Sequence, residues 1–382
     1  MTISLPRRSA EQVLDRASAR RFVAGHIAGS ADAFDRRGDL PESLFEAMAE
    51  AGLWAPFLSA DQGGAGVSYA TLGSIHEEVG RGCSSVRSLL TVHTMVSFAI
   101  SRWGSQEQRQ RWLPELASGR VQAAICVSEY EAGSDTGRIG TTARRTDRGW
   151  VLDGTKTWIT AGRRAGLFLV FARTGSTIAA FLVPRDTSGV EITPIDGILG
   201  TRASLLATVG LRDAELGPEA LLGPENFAAG MLLAGTLDMG RFSVAAGSVG
   251  IVQACLDACA AYTTGRMVGD SRLRDLQLIR AKMADMVTDV TAGRLLYEHA
   301  GRLKDSGNAE TIMATWIAKY FASTAAARHA AEAVQIHGAH GCGPEYPVAR
   351  YFRDAKIMEI IEGSSEIQRL TIAEAAYRRS EP

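Results

Sequence analysis

Apolar residues divide the chain into two regions of helical periodicity, separated by a region of short strand-like runs. In residues 10–120 the apolar positions recur at intervals of three and four, which is typical of amphipathic helices. The helices predicted there include 71–81, 84–103, one running from Pro41 to Gly52, and one capped by Ser105 and Gln108. This first region is therefore predicted to be helical throughout.

The pattern changes near Gln122 to short runs of apolar and β-branched residues. These runs cover residues 123–127, 150–152, 156–160, 167–171 and 178–183. Turn-forming pairs such as Asp153-Gly154 separate them. The spacing predicts an antiparallel β-domain that ends near Pro218, and the helical period returns after Phe227.

These patterns predict an α+β fold made of three domains. The expected domains are an N-terminal helical domain at 1–121, a middle antiparallel β-domain at 122–226 and a C-terminal helical domain at 227–382. A chain of 382 residues is long enough for two or three domains, and its 46% apolar content permits a large core. No internal repeat is present in the sequence.

Charge and cysteine usage exclude several classes of protein. The formal net charge is −1 and no basic run interleaves with aromatic residues, so no nucleic-acid partner is expected. We also expect no signal peptide and no membrane partner, because residues 1–8 lack an apolar segment and no uncharged run spans a bilayer. Cys255 and Cys259 share a helical face without a neighbouring His or acid, so buried thiols are expected and no metal site. The prediction is a reduced, cytoplasmic protein.

The segment 353–369 contains the most distinctive candidate for chemistry. Glu362 directly precedes Gly363 and two serines, and helical stretches rich in Ile and Met flank it. A carboxylate in apolar surroundings can act as the base for a weakly acidic C–H group. The alternative is an N-cap, with Ser364 or Ser365 opening the last helix.

Three further segments are candidates for binding a ligand. A loop with Gly133 and Ser134 follows the first strand, where backbone amides can approach an anion or a flat ring. Trp158 and Thr160 stand at i and i+2 and are predicted to share one face of a strand. A glycine-rich turn near Gly338 ends a helix. The alternatives are an ordinary turn, a half-buried strand indole and a helix C-cap.

In their order and spacing, four segments resemble those of acyl-CoA dehydrogenases, over roughly residues 20–378. The segments are 127–135, 156–160, 335–341 and 361–369, and Tyr346-Pro-Val and Arg353-Asp-Ala-Lys356 also match. The resemblance implies an N-terminal helical domain, a middle β-domain and a C-terminal four-helix bundle. It also implies a homodimer or homotetramer that binds FAD between domains and across a subunit contact.

The resemblance assigns FAD contacts residue by residue. Ser128 and Ser134 match positions near the flavin, while Trp158 and Thr160 match the stacking indole and the hydroxyl near N5. The remaining implied cofactor contacts are Gly133, Arg266, Gln277, Gln335, Gly338, Ser364 and Glu366. Gly269 stands where the family usually has Phe, which implies weaker contact with the cofactor.

The resemblance also implies the reaction. Glu362 matches the base that removes the α-proton of an acyl thioester while the β-hydride goes to flavin N5. Its backbone amide and a flavin ribityl hydroxyl polarise the thioester carbonyl. Electron-transferring flavoprotein is the implied acceptor. The implied substrate contacts are Ser134, Asp238, Arg241 and Gly363, and Asp238 with Arg241 could also be a helix ion pair at i, i+3.

Arg87 is unexpected at a position that borders the acyl chain, because a pocket for a fatty acyl chain needs an apolar lining. It lies on a helix that borders the acyl chain in the family, so it predicts a short, polar or carboxylated acyl group, unless it points to solvent. The segment 84–93 also resembles the branch that oxidises hydroxyacyl groups on acyl carrier protein for polyketide extender units such as hydroxymalonyl. Coenzyme A and acyl carrier protein both remain candidate carriers, since both present pantetheine. An oxygen-using oxidase and a flavin-depleted thioester-binding scaffold are the remaining alternatives.

Overall fold

A computed structural model describes residues 14–380 of the chain. The expectations about residues 1–8 therefore lie outside the described residues. The N-terminal helices are α1 (Arg16–His26), α2 (Ala31–Arg37), α3 (Glu42–Glu50), α4 (Tyr69–Gly82), α5 (Ser84–Trp103) and α6 (Gln106–Ala117). The predicted capping box is confirmed, because the Ser105 side chain accepts from the Gln108 amide and the Gln108 side chain accepts from the Ser105 amide.

Seven strands form one sheet in the middle of the chain. They are β1 (Ala123–Cys126), β2 (Thr142–Thr146), β3 (Gly149–Ile159), β4 (Leu167–Thr174), β5 (Thr177–Pro184), β6 (Val190–Pro194) and β7 (Ala207–Leu216). Their order is β1-β4-β2-β3-β7-β6, with β5 also paired to β4. Most neighbours are antiparallel as predicted, while β1 and β2 each pair with β4 in parallel.

The predicted break at Asp153-Gly154 is wrong. The chain continues through it as the single strand β3, and the register with β7 shifts between Leu152 and Gly154. Gly154 has φ of +148°, a conformation that glycine adopts without a side-chain clash. The extra residue lies on β7, because the step from Leu152 to Gly154 faces the longer step from Ala214 to Leu211, so the pair lies opposite a bulge and forms no turn. The predicted runs 150–152 and 156–160 therefore belong to the same strand.

Helices dominate the rest of the described chain. They are α7 (Leu233–Gly265), α8 (Gln277–Asp305), α9 (Thr311–His337), α10 (Val348–Ile360) and α11 (Ser365–Ser380). A small hairpin of β8 (Met267–Val268) and β9 (Ser271–Arg272) lies between α7 and α8. The stretch Gly230–Gly265 is long and apolar enough to cross a membrane by length and composition, but 67% of its most apolar window is buried inside the protein. It is the central helix of the C-terminal region and packs against α4, α5, α8, α9 and α10.

Helix α5 lies between the sheet and α7, and nearly all of its sides are buried. Its apolar residues join a core that extends into the sheet. Cys255 and Cys259 are free and buried in a second core formed by the C-terminal helices, as predicted for small core side chains. The position of α5 brings its polar residues against the glycine-containing face of α7.

Candidate active site

Glu362 lies in the turn between α10 and α11. Its φ is +56° and that of Gly363 is +92°, so two consecutive residues adopt left-handed conformations, which are costly for a residue with a side chain. Arg241 Nε donates to the Glu362 carbonyl at 3.1 Å. Lys319 Nζ and Gln368 Nε2 each donate to the Gly363 carbonyl at 2.8 Å. Side chains from three helices therefore hold this turn in a strained conformation.

The Glu362 carboxylate is desolvated and incompletely paired. Its Oε2 atom is buried, and no hydrogen-bond partner for it occurs among the described residues. Burial raises the pKa of Glu362 to about 7, although the charges of Arg241, Lys319 and Arg87 act to lower it. A carboxylate with this pKa can take a proton near neutral pH, which is what a general base requires.

Two glycines on one face of α7 make room for the buried polar side chains. A Cβ atom at Gly240 would lie 2.3 Å from Glu362 Oε2 and 2.8 Å from Met95 Sδ. One at Gly247, two helical turns further, would lie 2.8 Å from Arg87 Cδ. We call these two positions the glycine face of α7. Glu362 and Arg87 both pack against it, and the sequence analysis did not identify either glycine.

Arg87 does not point to solvent, so that alternative is wrong. Its side chain is fully buried, and its guanidinium donates to Thr91 Oγ1 at 2.9 Å and Ser88 Oγ at 3.1 Å. Among the described residues, no carboxylate forms an ion pair with it, and its Nε has no partner. Burial lowers the pKa of Arg87 to about 10, while the attraction of Glu362 acts in the opposite direction.

A chain of buried hydrogen bonds continues from Arg87. Thr91 Oγ1 lies 2.6 Å from Ser243 Oγ, and Ser243 Oγ lies 3.0 Å from His76 Nδ1. Burial lowers the pKa of His76 to about 3, so this histidine is neutral. The region beside Arg87 is therefore polar and hydroxyl-rich, unlike the apolar lining that a fatty acyl chain needs.

His93, six residues after Arg87, faces a different part of the fold. Its Nε2 lies 3.0 Å from the Leu116 carbonyl, and its Nδ1 accepts from the Ala123 amide at 3.2 Å. The imidazole therefore joins α5 to the end of α6 and the start of β1. Its role is structural.

Asp238 and Arg241 do not form the ion pair that their i, i+3 spacing allows. Asp238 instead pairs with Lys304 of α8, and its Oδ1 atom is buried without a partner among the described residues. Arg241 stacks over the Trp316 ring, 3.9 Å from its centroid, and donates to the Glu362 carbonyl. The structure therefore places Arg241 directly on the turn that carries Glu362.

Trp158 is exposed in an unusual backbone conformation. Its side chain is 58% exposed and its φ is +60°, which is rare for a bulky residue and occurs often at functional sites. The register of β3 is irregular between Lys156 and Ile159, and Thr160 lies beyond the strand end. Regular strand pairing therefore stops before these two residues, and the expectation that Trp158 and Thr160 share a face stays a prediction.

The loop after β1 is open on one side and anchored on the other. Gly133 and Ser134 are exposed, and a Cβ atom at Gly133 would meet nothing within 4 Å. The Ser128 carbonyl accepts from the Thr157 amide at 2.9 Å, which joins this loop to β3 beside Trp158. The structure therefore brings the two predicted segments together.

A buried ion pair, which the sequence analysis did not identify, fixes this junction. Lys156 is fully buried, and its Nζ donates to Glu129 Oε1 at 2.7 Å and to the Val127 carbonyl at 3.1 Å. The Glu129 carboxylate also accepts from the Gly140 amide at 2.7 Å and from Thr141. Although burial opposes it, bonding to Lys156 and the other donors lowers the pKa of Glu129 to about 2.

Lys156→Met is expected to lower the free energy of unfolding by about 3 kcal/mol, because it leaves the Glu129 carboxylate without its buried cation. Urea denaturation of the Lys156→Met variant and of the unmodified protein measures the difference in unfolding free energy. The matched control is Arg148→Met, since Arg148 and Glu215 form an exposed pair at 3.9 Å with side chains 88% and 70% exposed. Its effect should stay within about 0.5 kcal/mol. Equal effects of the two substitutions would contradict the role of the buried pair.

Four of the predicted FAD contacts lie on the surface of the C-terminal region. Arg266, Gln277, Gln335 and Gly338 are all exposed. Helix α9 ends at His337 with Gly338 at φ of +59°, so the C-cap interpretation is confirmed. Arg266 and His340 line a cavity of about 890 Å³ between α1, α4, α7 and α10.

Tyr262, which contacts the turn at Gly338, was not identified from the sequence. Tyr262 stacks on His337 with ring centroids 4.2 Å apart, and its hydroxyl lies 3.0 Å from His340 Nδ1. The same hydroxyl donates to the His337 carbonyl at 3.2 Å. Tyr262 therefore fixes the glycine-rich turn to α7.

Gly269 has a local structural reason. It lies in the turn between β8 and β9 with φ of +58°, and a Cβ atom there would meet nothing within 4 Å. The position is strained for any residue with a side chain, which favours glycine. The hairpin turn therefore explains why glycine stands at position 269, where the family usually has a Phe that contacts the cofactor.

The cap interpretation also holds at the last helix. Ser364 Oγ accepts from the Ile367 amide at 3.5 Å, and α11 begins at Ser365. Glu366 is exposed in the first turn, where bonding to its own amide and to Ser364 lowers the pKa of its carboxyl. Ser364 can therefore cap the helix directly beside the candidate base.

The residues present fit a flat aromatic cofactor with a charged tail. Trp158 offers an exposed indole on a strained backbone, and Ser128, in the loop that also contains Gly133, is bonded to the neighbouring Thr157 amide. The buried Oε2 of Glu362 has no hydrogen-bond partner within residues 14–380. These features, in a fold with a sheet between two helical regions, are those expected of the class of flavin-dependent thioester dehydrogenases.

The chain belongs to the acyl-CoA dehydrogenase family, whose members are FAD-dependent oxidoreductases acting on CH–CH groups. Profiles of this family match in all three parts. The N-terminal domain matches residues 9–120, the middle domain 124–214 and the C-terminal domain 230–377.

Individual relatives cover nearly the whole chain. The mitochondrial short-chain specific acyl-CoA dehydrogenase of Sus scrofa is 37% identical over 364 residues, which covers 94% of this chain and 88% of the relative. A glutaryl-CoA dehydrogenase from Mycobacterium smegmatis, solved with FADH2, has 31% identity and a TM-score of 0.90, covering 96% and 94% of the two chains. FkbI, solved as a protein for biosynthesis of a methoxymalonyl extender unit, has 35% identity and a TM-score of 0.87, covering 95% and 99%.

Proposed function

We propose that this protein oxidises a short acyl thioester, with Glu362 as the base. The observation that supports this proposal most directly is the buried Oε2 of Glu362, which has no hydrogen-bond partner in the described part of the chain. Burial raises the pKa of this carboxyl to about 7. Such a group is poised to take a proton near neutral pH. The position of Glu362 in a turn held by Arg241, Lys319 and Gln368 fixes its direction.

The α C–H proton of the thioester passes to Glu362 Oε2, and the β C–H bond breaks as a double bond forms between the two carbons. Bound FAD supplies the acceptor for the β-hydride. Trp158 and Thr160 orient that cofactor, with Ser128, Gly133 and Ser134 beside them. The backbone amide of Glu362 polarises the thioester carbonyl and so stabilises the enolate-like charge. The charges of Arg87, Arg241 and Lys319 keep the pKa of Glu362 from rising further.

The acyl group is short and carries a polar or anionic end. Arg87 supports this part of the proposal, because it is fully buried with no carboxylate paired to it among the described residues. A buried guanidinium is expensive unless a ligand anion compensates it. A relative that acts on glutaryl-CoA shows that the fold accepts a dicarboxylic acyl group.

Acyl carrier protein is the second candidate carrier, because the segment 84–93 resembles the branch that acts on extender units held by that carrier. The description of FkbI as a protein for biosynthesis of a methoxymalonyl extender unit favours a substrate of this kind. In that case the substrate is a hydroxyacyl group for an extender unit such as hydroxymalonyl. Asp238, Arg241 and Gly363 serve either carrier, since both present pantetheine. Electron-transferring flavoprotein or dioxygen re-oxidises the cofactor. The protein assembles as a homodimer or homotetramer, in which a neighbouring subunit supplies the helix-end contact of Gln335 and Gly338. The residues at the adenine end are Arg266, Gln277, Ser364 and Glu366.

The test is anaerobic flavin bleaching. The FAD-loaded protein is mixed with butyryl-, glutaryl- and malonyl-type thioesters of coenzyme A and of acyl carrier protein, and absorbance is followed. We expect at least roughly tenfold faster bleaching by an acidic or hydroxylated short acyl group than by a plain acyl group of equal length. Bleaching by none of them would contradict the proposal. A protein that stays colourless with added FAD would instead support a thioester-binding scaffold.

A further inference from the structure

Lys319 is a buried lysine in an unusual setting. It lies on α9 with a fully buried side chain, and its ammonium donates at 2.8 Å to the Gly363 carbonyl. Among the described residues, no carboxylate pairs with it within 4.0 Å. A buried ammonium bound to one carbonyl costs stability unless its charge serves another purpose.

The carbonyl that Lys319 binds belongs to the residue directly after Glu362. Gln368 of α11 donates to the same oxygen, so two buried donors from two helices meet at one atom. Arg241 holds the preceding carbonyl. Because Glu362 and Gly363 both have positive φ, these three donors determine a conformation that the chain would not adopt unaided.

We propose that Lys319 is a positioning residue that, with Gln368, holds the base-bearing turn so that the Glu362 carboxylate stays against the glycine face of α7. The proposal rests on the proposed function of Glu362 for its kinetic consequence, but its structural consequence is independent of any substrate. Losing the ammonium removes one of the two donors to the Gly363 carbonyl and loosens the turn, which lets the carboxylate move away from Gly240.

The charges around Lys319 link its position to the protonation of Glu362. The charges that act on it are those of Glu362 itself, Arg241 from α7, Glu359 from α10 and Glu366 from α11. Burial lowers the pKa of Lys319 to about 7, which the negative charge of Glu362 opposes. The charged lysine in turn lowers the pKa of Glu362. Since the base acts when deprotonated, removal of the charge shifts its working range to higher pH.

The structural test uses a protease that cuts after glutamate. In Lys319→Met we expect cleavage of the Glu362–Gly363 bond, located by mass spectrometry, to be about tenfold faster than in the unmodified protein. Lys319→Arg, which keeps a charged donor, should restore most of the protection. Lys282→Met is the control, because Lys282 pairs with Glu332 at the surface of α8 and does not touch the turn. Equal cleavage in Lys319→Met and the unmodified protein would overturn the proposal.

The kinetic test measures the pH dependence of flavin reduction by whichever thioester bleaches the protein fastest. The rising limb assigned to Glu362 should move up by about one pH unit in Lys319→Met and stay in place in Lys319→Arg. Faster cleavage with an unmoved pH profile would reduce Lys319 to a structural residue and overturn the proposal. If no thioester bleaches the unmodified protein, the proposed function fails, while the cleavage comparison still decides whether Lys319 holds the turn.

Discussion

Replacement of Glu362 by glutamine is expected to reduce the rate of substrate-dependent flavin bleaching by at least roughly 10³-fold, while FAD stays bound. The physical reason is that the amide cannot take the α-proton, and general bases contribute roughly 10²–10⁴-fold to such steps. Glutamine has nearly the same shape, so the space beside Gly240 stays filled. Stopped-flow absorbance under anaerobic conditions measures the rate, and the visible spectrum measures the retained cofactor.

Glu374→Gln is the control for this substitution. Glu374 lies on α11, pairs with Arg378 and is 59% exposed, so the same chemical change there should leave bleaching unaltered. Fast bleaching by Glu362→Gln would show that another group takes the proton. Loss of the yellow colour in that variant would instead assign Glu362 to cofactor binding.

Replacement of Arg87 by methionine is expected to lower kcat/KM for an acidic acyl thioester by roughly 100-fold or more, since a desolvated charge pair is typically worth 2–5 kcal/mol. A plain acyl thioester of the same length should lose less than about threefold. Steady-state kinetics with the two substrates measures this change in specificity. Equal losses for both would remove Arg87 from the acyl site.

The same variant should keep or gain stability. Thr91 and Ser88 remain bonded to the Arg87 and Ser84 carbonyls, so their hydroxyls are not left unpaired when the guanidinium is removed. Arg350→Met is the matched control, because the buried Arg350 contacts Asp32 at 2.7 Å and Asp354 at 4.0 Å. It should cost roughly 3 kcal/mol of unfolding free energy and leave specificity unchanged. A comparable loss of stability in Arg87→Met would indicate that Arg87 is a structural arginine.

Local sequence signals predicted the elements whose stability is largely local. The capping box at Ser105 and the helical period of the C-terminal region are examples, because both depend on residues three or four positions apart. The strand β2, with the sequence Thr-Ala-Arg-Arg-Thr, was missed because it carries no apolar alternation. Its place is set by pairing with β3, which no local pattern reveals.

The site was predictable where a motif carries its chemistry and unpredictable where packing decides. Glu362 was identified from the glycine and two serines that follow it, and Trp158 from the segment 156–160. The burial of Arg87 could not be read from α5, because that helix is covered on nearly every side and has no distinct exposed face. Lys319 and Gly363 are 44 positions apart in the sequence, so their contact is visible only from the packing of α9 against the turn at Glu362.

The glycine face of α7 carries a cost that the rest of the fold must offset. Each glycine in a helix interior is less favourable than alanine by roughly 1 kcal/mol, so Gly240 and Gly247 together weaken the central helix of the C-terminal region. Alanine at either position would favour the helix locally and intrude on Glu362 or Arg87. Selection for stability and selection for activity therefore oppose each other at these two positions. The addition of a single methyl group at either one would stabilise the helix and disturb the site.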